Sequence, residues 1–502
     1  MSVQINAQSF PWLEFIEHGE QLKMYINGQW VEGRSGEWEP VEDPSSKNVI
    51  AYVSKGGAQE AKRAVEAAQA AFGSWSMVSA RERSKYLYRL ANLLREHALP
   101  LASLLTAESG KVLKEAMEEI RSASAYVSWY SEEAKRINGT VVSPANPNNR
   151  IFVLQRPVGV VVSICPFNFP FGILARKLAA SVAAGCTFAA KPAPETPLTA
   201  LMLARLVEKA GFPQGVVNII TGDAAAIGKV FCEHPAVRKI TFTGSTQVGR
   251  LLTAQAGQHL KQTHMELGGN SPCIIFPDAD QERAVKTLQY AKFRNTGQVC
   301  GSPNRIYVHE SIAEEFIDRF YRQIDTLKVG PGHHKEAHIG PLIHQRAIEK
   351  VDRLVKSAVA QGAEAQVCGK MVDGVDSDSG YYYLPVMIRG AQDHMDICRE
   401  ETFGPVATFL TFKEEDEVVS RAVATPYGLA GFVYTKDVSR VLTISEKLEV
   451  GNVGVNGAVS ANIESPFGGV KESGWGREGG KRGYTIFWKP SPFRSKCSGT
   501  MT

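Results

Sequence analysis

The chain has 502 residues, 44% of them hydrophobic, which suits a soluble globular protein of two or three domains better than a single core. Its 56 basic and 52 acidic residues leave a formal charge of +4 and are mixed along the chain, which argues against nucleic acid or a membrane surface as partner. The amino terminus has no basic region followed by an apolar run. The longest uncharged stretch, "PVGVVVSICPFNFPFGILA", is broken by proline and glycine, so it reads as strand and loop and not as a membrane span. Eight scattered cysteines (165, 186, 232, 273, 300, 368, 398, 497) form neither zinc spacing nor a disulfide framework and point to a reduced, cytoplasmic setting without a bound metal.

In chain order, "MYINGQWVEG" alternates around Asn27-Gly28, a hairpin signal. In "KVLKEAMEEI", Leu113, Met117 and Ile120 share one helical stripe. "INGTVVSPANPNNRIFVLQRP" predicts a long hairpin. From Val158 onward, apolar strands ("VGVVVSI", "TFAAKP", "VVNII", "KITFTG") alternate with helical runs, which predicts a parallel sheet covered on both faces. A second α/β series begins at "SPCIIFPDAD" and continues through "NRIYVHE". It includes a helix opened by a Ser311/Glu314 capping box, with Phe316, Phe320, Ile324 and Leu327 buried. The tail "GYTIFWKPSPF" reads as a strand added to a neighbour.

Four stretches carry chemistry. In "FRNTGQVCGS", Cys300 sits among Gly297, Gln298, Gly301 and Ser302, where an apolar helix face would be the usual place for a free thiol. A nucleophile explains glycine there, because glycine lets a substrate carbonyl approach. In "HMELGGN", Glu266 is either a base raised by apolar surroundings or a carboxylate bonded to backbone amides. In "CPFNFP", Asn168 follows a strand and is either a turn residue or a donor to an oxyanion. Lys191 ends "TFAAKP", and "FTGSTQVG" is a strand, a glycine turn and a helix start, with Ser245 placed to meet a pyrophosphate.

The order "PFNFP … KPAPETP … FTGSTQVG … MELGGN … GQVC … EETFGP … PFGGVKESGWGREGG" resembles that of the NAD(P)-dependent aldehyde dehydrogenases over nearly the whole chain. The resemblance implies that family's α/β fold, with a doubly wound dinucleotide domain (1–136 and 157–265), a catalytic α/β domain (266–470) and a β oligomerisation flap with tail (137–156 and 471–502). It implies a homodimer or homotetramer. It casts Cys300 as nucleophile, Glu266 as general base and Asn168 as oxyanion ligand. It places NAD or NADP against Ile164, Pro166, Phe167, Lys191, Glu195, Gly228, Phe242, Gly244, Ser245, Leu267, Glu401 and Phe403. Pro194 stands where a glutamate would favour NAD, with Glu195 following, so either cofactor is expected, with a slight lean to NAD.

Within the family the chain looks most like succinate-semialdehyde dehydrogenases. Arg176 and Arg294 match the arginines that hold the distal carboxylate, although structural ion pairs are the alternative for both. Phe171 and Ser460 complete the expected substrate contacts. Ser302 replaces a second cysteine, Phe167 a tryptophan, and Ser460 is one place out of register. Glutarate semialdehyde, a sulfonated or phosphonated aldehyde, or a broad aliphatic range stay open as substrates. A CoA-acylating enzyme and an inactive binding protein are the remaining alternatives.

Overall fold

The computed structural model describes residues 20–459 and 462–496. Among these residues two large sheets form the framework. The first has eight strands in the order Gly474–Trp475, Gln262–Glu266, Val237–Thr243, Val160–Ile164, Thr187–Lys191, Val217–Ile219, Met24–Ile26, Gln29–Val31. Its five central strands are parallel. They are continuous apolar runs because both faces are covered. Val161 packs with Leu174 and Phe188 on one side, while Val160 and Val162 pack with Ala64 and Ile240 on the other. The Asn27-Gly28 turn (φ 56° and 73°) closes the expected hairpin at one edge.

Register decides where the chemistry can gather. Ile164 pairs with Lys191, Phe242 with Ile164, and Thr243 with Glu266. The carboxyl ends of four neighbouring strands are therefore level, and open α/β sheets bind ligands beyond that edge. The second sheet, of seven strands, contains Ser271–Ile275 beside Pro303–His309 and buries Phe316, Phe320, Ile324 and Leu327 against one face.

Two expectations are corrected. Among the described residues of the segment 471–502, Trp488–Lys496 pairs antiparallel with Asn149–Pro157 of the long hairpin. Gly474–Trp475 instead extends the eight-stranded sheet, and helix Gly480–Thr485 buries Tyr484 in its core. The tail is a strand as expected, added to Asn149–Pro157 at the edge of a three-stranded sheet. The capping box is absent: a 3-10 turn over Glu310–Ile312 starts the helix at Ala313, beyond Ser311, whose hydroxyl sits 2.8 Å from His309 Nδ1. Among the described residues no helix is long and apolar enough to cross a membrane.

Candidate active site

Helix Gln281–Phe293 runs into a turn in which Asn295, Thr296 and Gly297 all have positive φ (49°, 57° and 73°). Such a conformation costs about 1–3 kcal/mol at each non-glycine residue and needs outside support. Asn295 N–H donates to Glu115 Oε2 at 2.8 Å, Thr296 Oγ1 to the Gly340 carbonyl at 3.0 Å, and Ile343 N–H to Gln298 Oε1 at 3.0 Å. At Gly297 a Cβ would overlap the Gly404 carbonyl oxygen. The turn presents Cys300 half-buried, whereas the other six described cysteines are buried. Burial, then the carboxylates of Glu401 and Glu266, pushes its thiol up to about 12. The free thiol therefore holds its proton until a base takes it.

Glu266 ends strand Gln262–Glu266 beside that thiol's loop. Gly268 and Gly269 follow for a steric reason. A Cβ on Gly269 would lie 2.6 Å from the Cys300 carbonyl oxygen, and one on Gly268 would lie 2.7 Å from Glu401 Oε2. The Glu266 carboxyl is buried, with Oε1 3.2 Å from His264 Nε2 and Oε2 without a partner among the described residues. Burial and the nearby Glu478 raise it well above the usual carboxylate range, against Lys177, Arg176 and Arg477. A carboxyl raised in this way binds a proton more readily than an exposed one.

Asn168 is tied to the same loop. Its Nδ2 donates to the Gln298 carbonyl at 3.0 Å, and its backbone carbonyl accepts from Lys111 Nζ at 2.8 Å and Asn295 Nδ2 at 3.0 Å. An amide nitrogen carries two hydrogens, so a second remains for a substrate oxygen.

A cleft of about 260 Å³ opens over Cys300 and Glu266, walled by Phe169, Ile173, Arg176 and Arg294. The two arginines differ. Arg294 lies 5.8 Å from the Phe169 ring and 5.6 Å from the Tyr290 ring, has no ion pair among the described residues, and keeps its Nε unpartnered. Arg176 Nη2 is paired with Glu478 Oε2 at 2.7 Å. Burial would raise the Glu478 carboxyl, but Arg176, Lys177 and His264 override it and hold it down at about 2. Phe171, expected at the substrate, is instead fully buried in the hydrophobic core. On helix Pro170–Ala183 it shares a face with Leu174 and Leu178, whereas Phe169, Ile173 and Arg176 share the cleft face. Ser460 lies outside the described residues.

The level strand edge also fits a dinucleotide. Lys191 is buried there with Nζ donating, among the described residues, to the Pro192 carbonyl at 3.0 Å, and burial lowers its pKa while Glu195 opposes. Ile164 is its partner in register, and half-buried Pro166 and Phe167 follow. Phe167 meets Phe403 edge-on at 5.9 Å, with Phe403 at φ 54°. Phe242 lies under Gly244, where a Cβ would sit 2.5 Å from the Phe242 ring. Ser245 caps helix Thr246–Gly257 by accepting from Val248 N–H at 3.4 Å, and that terminus suits an anion. Leu267 packs beneath Gly249, where a Cβ would overlap its side chain. Glu401 Oε1 accepts from Gly269 N–H at 3.1 Å. Gly228 packs towards Leu252, at 3.7 Å from where a Cβ would stand, so its observed contact is between helices. Thr243 Oγ1, at the cleft, is buried without a partner among the described residues.

Residues 30–490 match the model of the aldehyde dehydrogenase family. The chain belongs to that family. It is similar to the 3-sulfolactaldehyde dehydrogenase of Pseudomonas putida, 43% identical over 91% of this chain and 94% of that one. It is also similar to the NADP-dependent succinate-semialdehyde dehydrogenase of Escherichia coli, 40% identical over 91% and 94%. A crystal structure of succinate-semialdehyde dehydrogenase from Burkholderia pseudomallei superposes with a TM-score of 0.92, 41% identity and coverage of 95% and 98%. This aldehyde dehydrogenase is thus an NAD(P)-dependent oxidoreductase with semialdehyde-oxidising relatives.

Sequence reasoning missed several residues of this dehydrogenase's site. Glu478, inside "GREGG", holds Arg176 and Lys177. Glu115 supports the loop that carries Cys300. His264 contacts Glu266. The signal for His264 was available, since alternation puts residues two apart on the same face of a strand.

Proposed function

We propose that this enzyme oxidises a short aldehyde with an anionic far end, succinate semialdehyde foremost, to the carboxylic acid without CoA. The observation that carries this reading is Arg294, a guanidinium at the cleft with no ion pair among the described residues. A guanidinium on an aromatic wall suits a carboxylate or sulfonate, and a matched anion is its natural partner.

In this reading Cys300 Sγ gives its proton to a base and attacks the aldehyde carbon. The carbonyl oxygen becomes an oxyanion that accepts from Asn168 Nδ2 and the Cys300 backbone N–H. Lys191, Ser245 and Glu401 at the level strand edge would hold the nicotinamide cofactor, which when bound would supply the acceptor for the hydride that leaves the substrate carbon. The thioester left on Cys300 is then hydrolysed: Glu266 takes a proton from water, the hydroxide adds, and the thiolate leaves with the acid as product. A base at Glu266 favours hydrolysis over waiting for CoA.

The same guanidinium would serve glutarate semialdehyde or a sulfonated aldehyde, because it reads charge more than chain length. Pro194 offers no carboxylate to repel a 2′-phosphate, so both NAD and NADP are proposed as cofactors. The exposed flap strand Thr140–Val142, with Val141 71% exposed, supports assembly into a homodimer or homotetramer. Rates on succinate semialdehyde, glutarate semialdehyde, sulfolactaldehyde and butanal, with each cofactor and with or without CoA, test the reading. Butanal oxidised as efficiently as the anionic aldehydes would overturn it.

A further inference from the structure

We infer that His264 is a positioning residue that aims Glu266 at the water attacking the Cys300 thioester, as the last link of a buried chain from Lys177 through Thr241. This rests on the reading of Glu266 as the deacylating base.

Lys177 Nζ donates to Thr241 Oγ1 at 2.7 Å, Thr241 Oγ1 lies 3.2 Å from His264 Nδ1, and His264 Nε2 lies 3.2 Å from Glu266 Oε1. An ammonium can only donate, so Thr241 Oγ1 accepts from it and has its own hydrogen for His264 Nδ1. An imidazole accepting at Nδ1 carries its hydrogen at Nε2, which then donates to Glu266 Oε1. The ionised Glu266 carboxylate that serves as a base can only accept, which requires the hydrogen on Nε2 and leaves Nδ1 to accept from Thr241, in the same order that Lys177 sets at the head of the chain.

The backbone holds this alignment. Thr241 and His264 are direct partners on adjacent parallel strands, and His264 and Glu266 share a strand face. On the other side a Cβ at Gly476, itself at φ 97°, would overlap the His264 ring. His264, Lys177 and Thr241 are all 1% exposed or less.

The charged groups around the imidazole keep it neutral. Burial lowers its pKa first, and Lys177 and Arg176 from helix Pro170–Ala183 and Lys239 from strand Val237–Thr243 act in the same direction, against Glu478. Glu266 faces Glu478, Lys177, Arg176 and Arg477. A neutral donor on Oε1 fixes the carboxylate's rotation, leaves unpartnered Oε2 as the basic oxygen, and favours the charged form.

The experiment is rapid-quench kinetics on His264→Leu, His264→Gln and Thr241→Val, with Glu266→Gln alongside. His264→Leu should keep the acylation burst, slow deacylation roughly 10- to 100-fold, and accumulate thioester on Cys300. The acid limb of its deacylation rate should move to higher pH, since the bond that favoured the carboxylate is gone. His264→Gln, whose amide accepts and donates in the same order, should stay within about threefold of the parent. Thr241→Val should shift deacylation in the same direction as His264→Leu. Parent-like deacylation and pH limb in His264→Leu would overturn the inference, as would equal losses in both phases for the Leu and Gln variants. If Glu266→Gln also deacylates normally, the base assignment fails, and the inference falls with it for that separate reason.

Discussion

Arg176 and Glu478 are bound at 2.7 Å, and the same carboxylate takes Lys177 at 2.6 Å, so one of the two arginines at the cleft is already neutralised from within the protein. The two should therefore fail differently when removed. Arg294→Ala should lower kcat/KM on succinate semialdehyde by roughly 30- to several-thousand-fold, with little loss on butanal. Arg176→Ala should lower both, because Glu478 then stands less compensated beside Glu266. Steady-state kinetics on the two aldehydes decides it. Equal losses on both for Arg294→Ala would make that residue structural and leave the substrate class open.

Gly297→Ala should disable the enzyme without touching any reacting group. A Cβ there meets the Gly404 carbonyl oxygen, at a φ of 73° that side chains resist. The expected cost is about 1–3 kcal/mol in stability, together with displacement of Cys300 and a fall in turnover. Denaturant melts alongside a titration of reactive thiol measure both effects. A variant with parent activity would mean that the turn's strain is unconnected with catalysis.

Much of this was legible in the chain. The run Val160–Ile164 declares a strand covered on both faces, and the glycine and amide flanks of Cys300 set it apart from cysteines in apolar runs. Two kinds of information were not legible. One is helical phase: Phe171 sits between Phe169 and Ile173 in sequence, but about 100° per residue turns it to the core while they face the cleft. The other is distant pairing. Arg176 meets a glutamate some three hundred positions away, and Trp488–Lys496 finds its sheet partner in Asn149–Pro157, neither of which leaves a local pattern. At Ser311 the local pattern was present and a preceding 3-10 turn displaced it.

Cys300→Ala should fold, bind cofactor and lose dehydrogenase activity. The parent should take iodoacetamide at Cys300 ahead of the other six described cysteines, because those are buried. With burial and two carboxylates raising the thiol, alkylation of the free enzyme should accelerate as pH rises above neutrality. Peptide mapping after alkylation reads out the site. Residual turnover near the parent's in Cys300→Ala would end the covalent mechanism.

The cofactor's 2′-position can be tested at Pro194. This residue is exposed in the turn that follows strand Thr187–Lys191, where Lys191 is buried and Glu195 is half-exposed, its Oε1 4.0 Å from His344 Nε2. Position 194 is therefore exposed three residues after Lys191 and brings no charge. The parent should accept NAD and NADP with kcat/KM values within about tenfold of each other, a difference of roughly 1.4 kcal/mol. Pro194→Glu adds a carboxylate that accepts from ribose hydroxyls and repels a 2′-phosphate. It should lower kcat/KM for NADP by roughly 10- to 100-fold while sparing NAD. Pro194→Gln separates the charge from the loss of proline's fixed φ: it should leave the cofactor ratio near the parent's. If the parent already rejects NADP by several orders of magnitude, Glu195 is the group to examine, and Glu195→Gln should then relax the rejection.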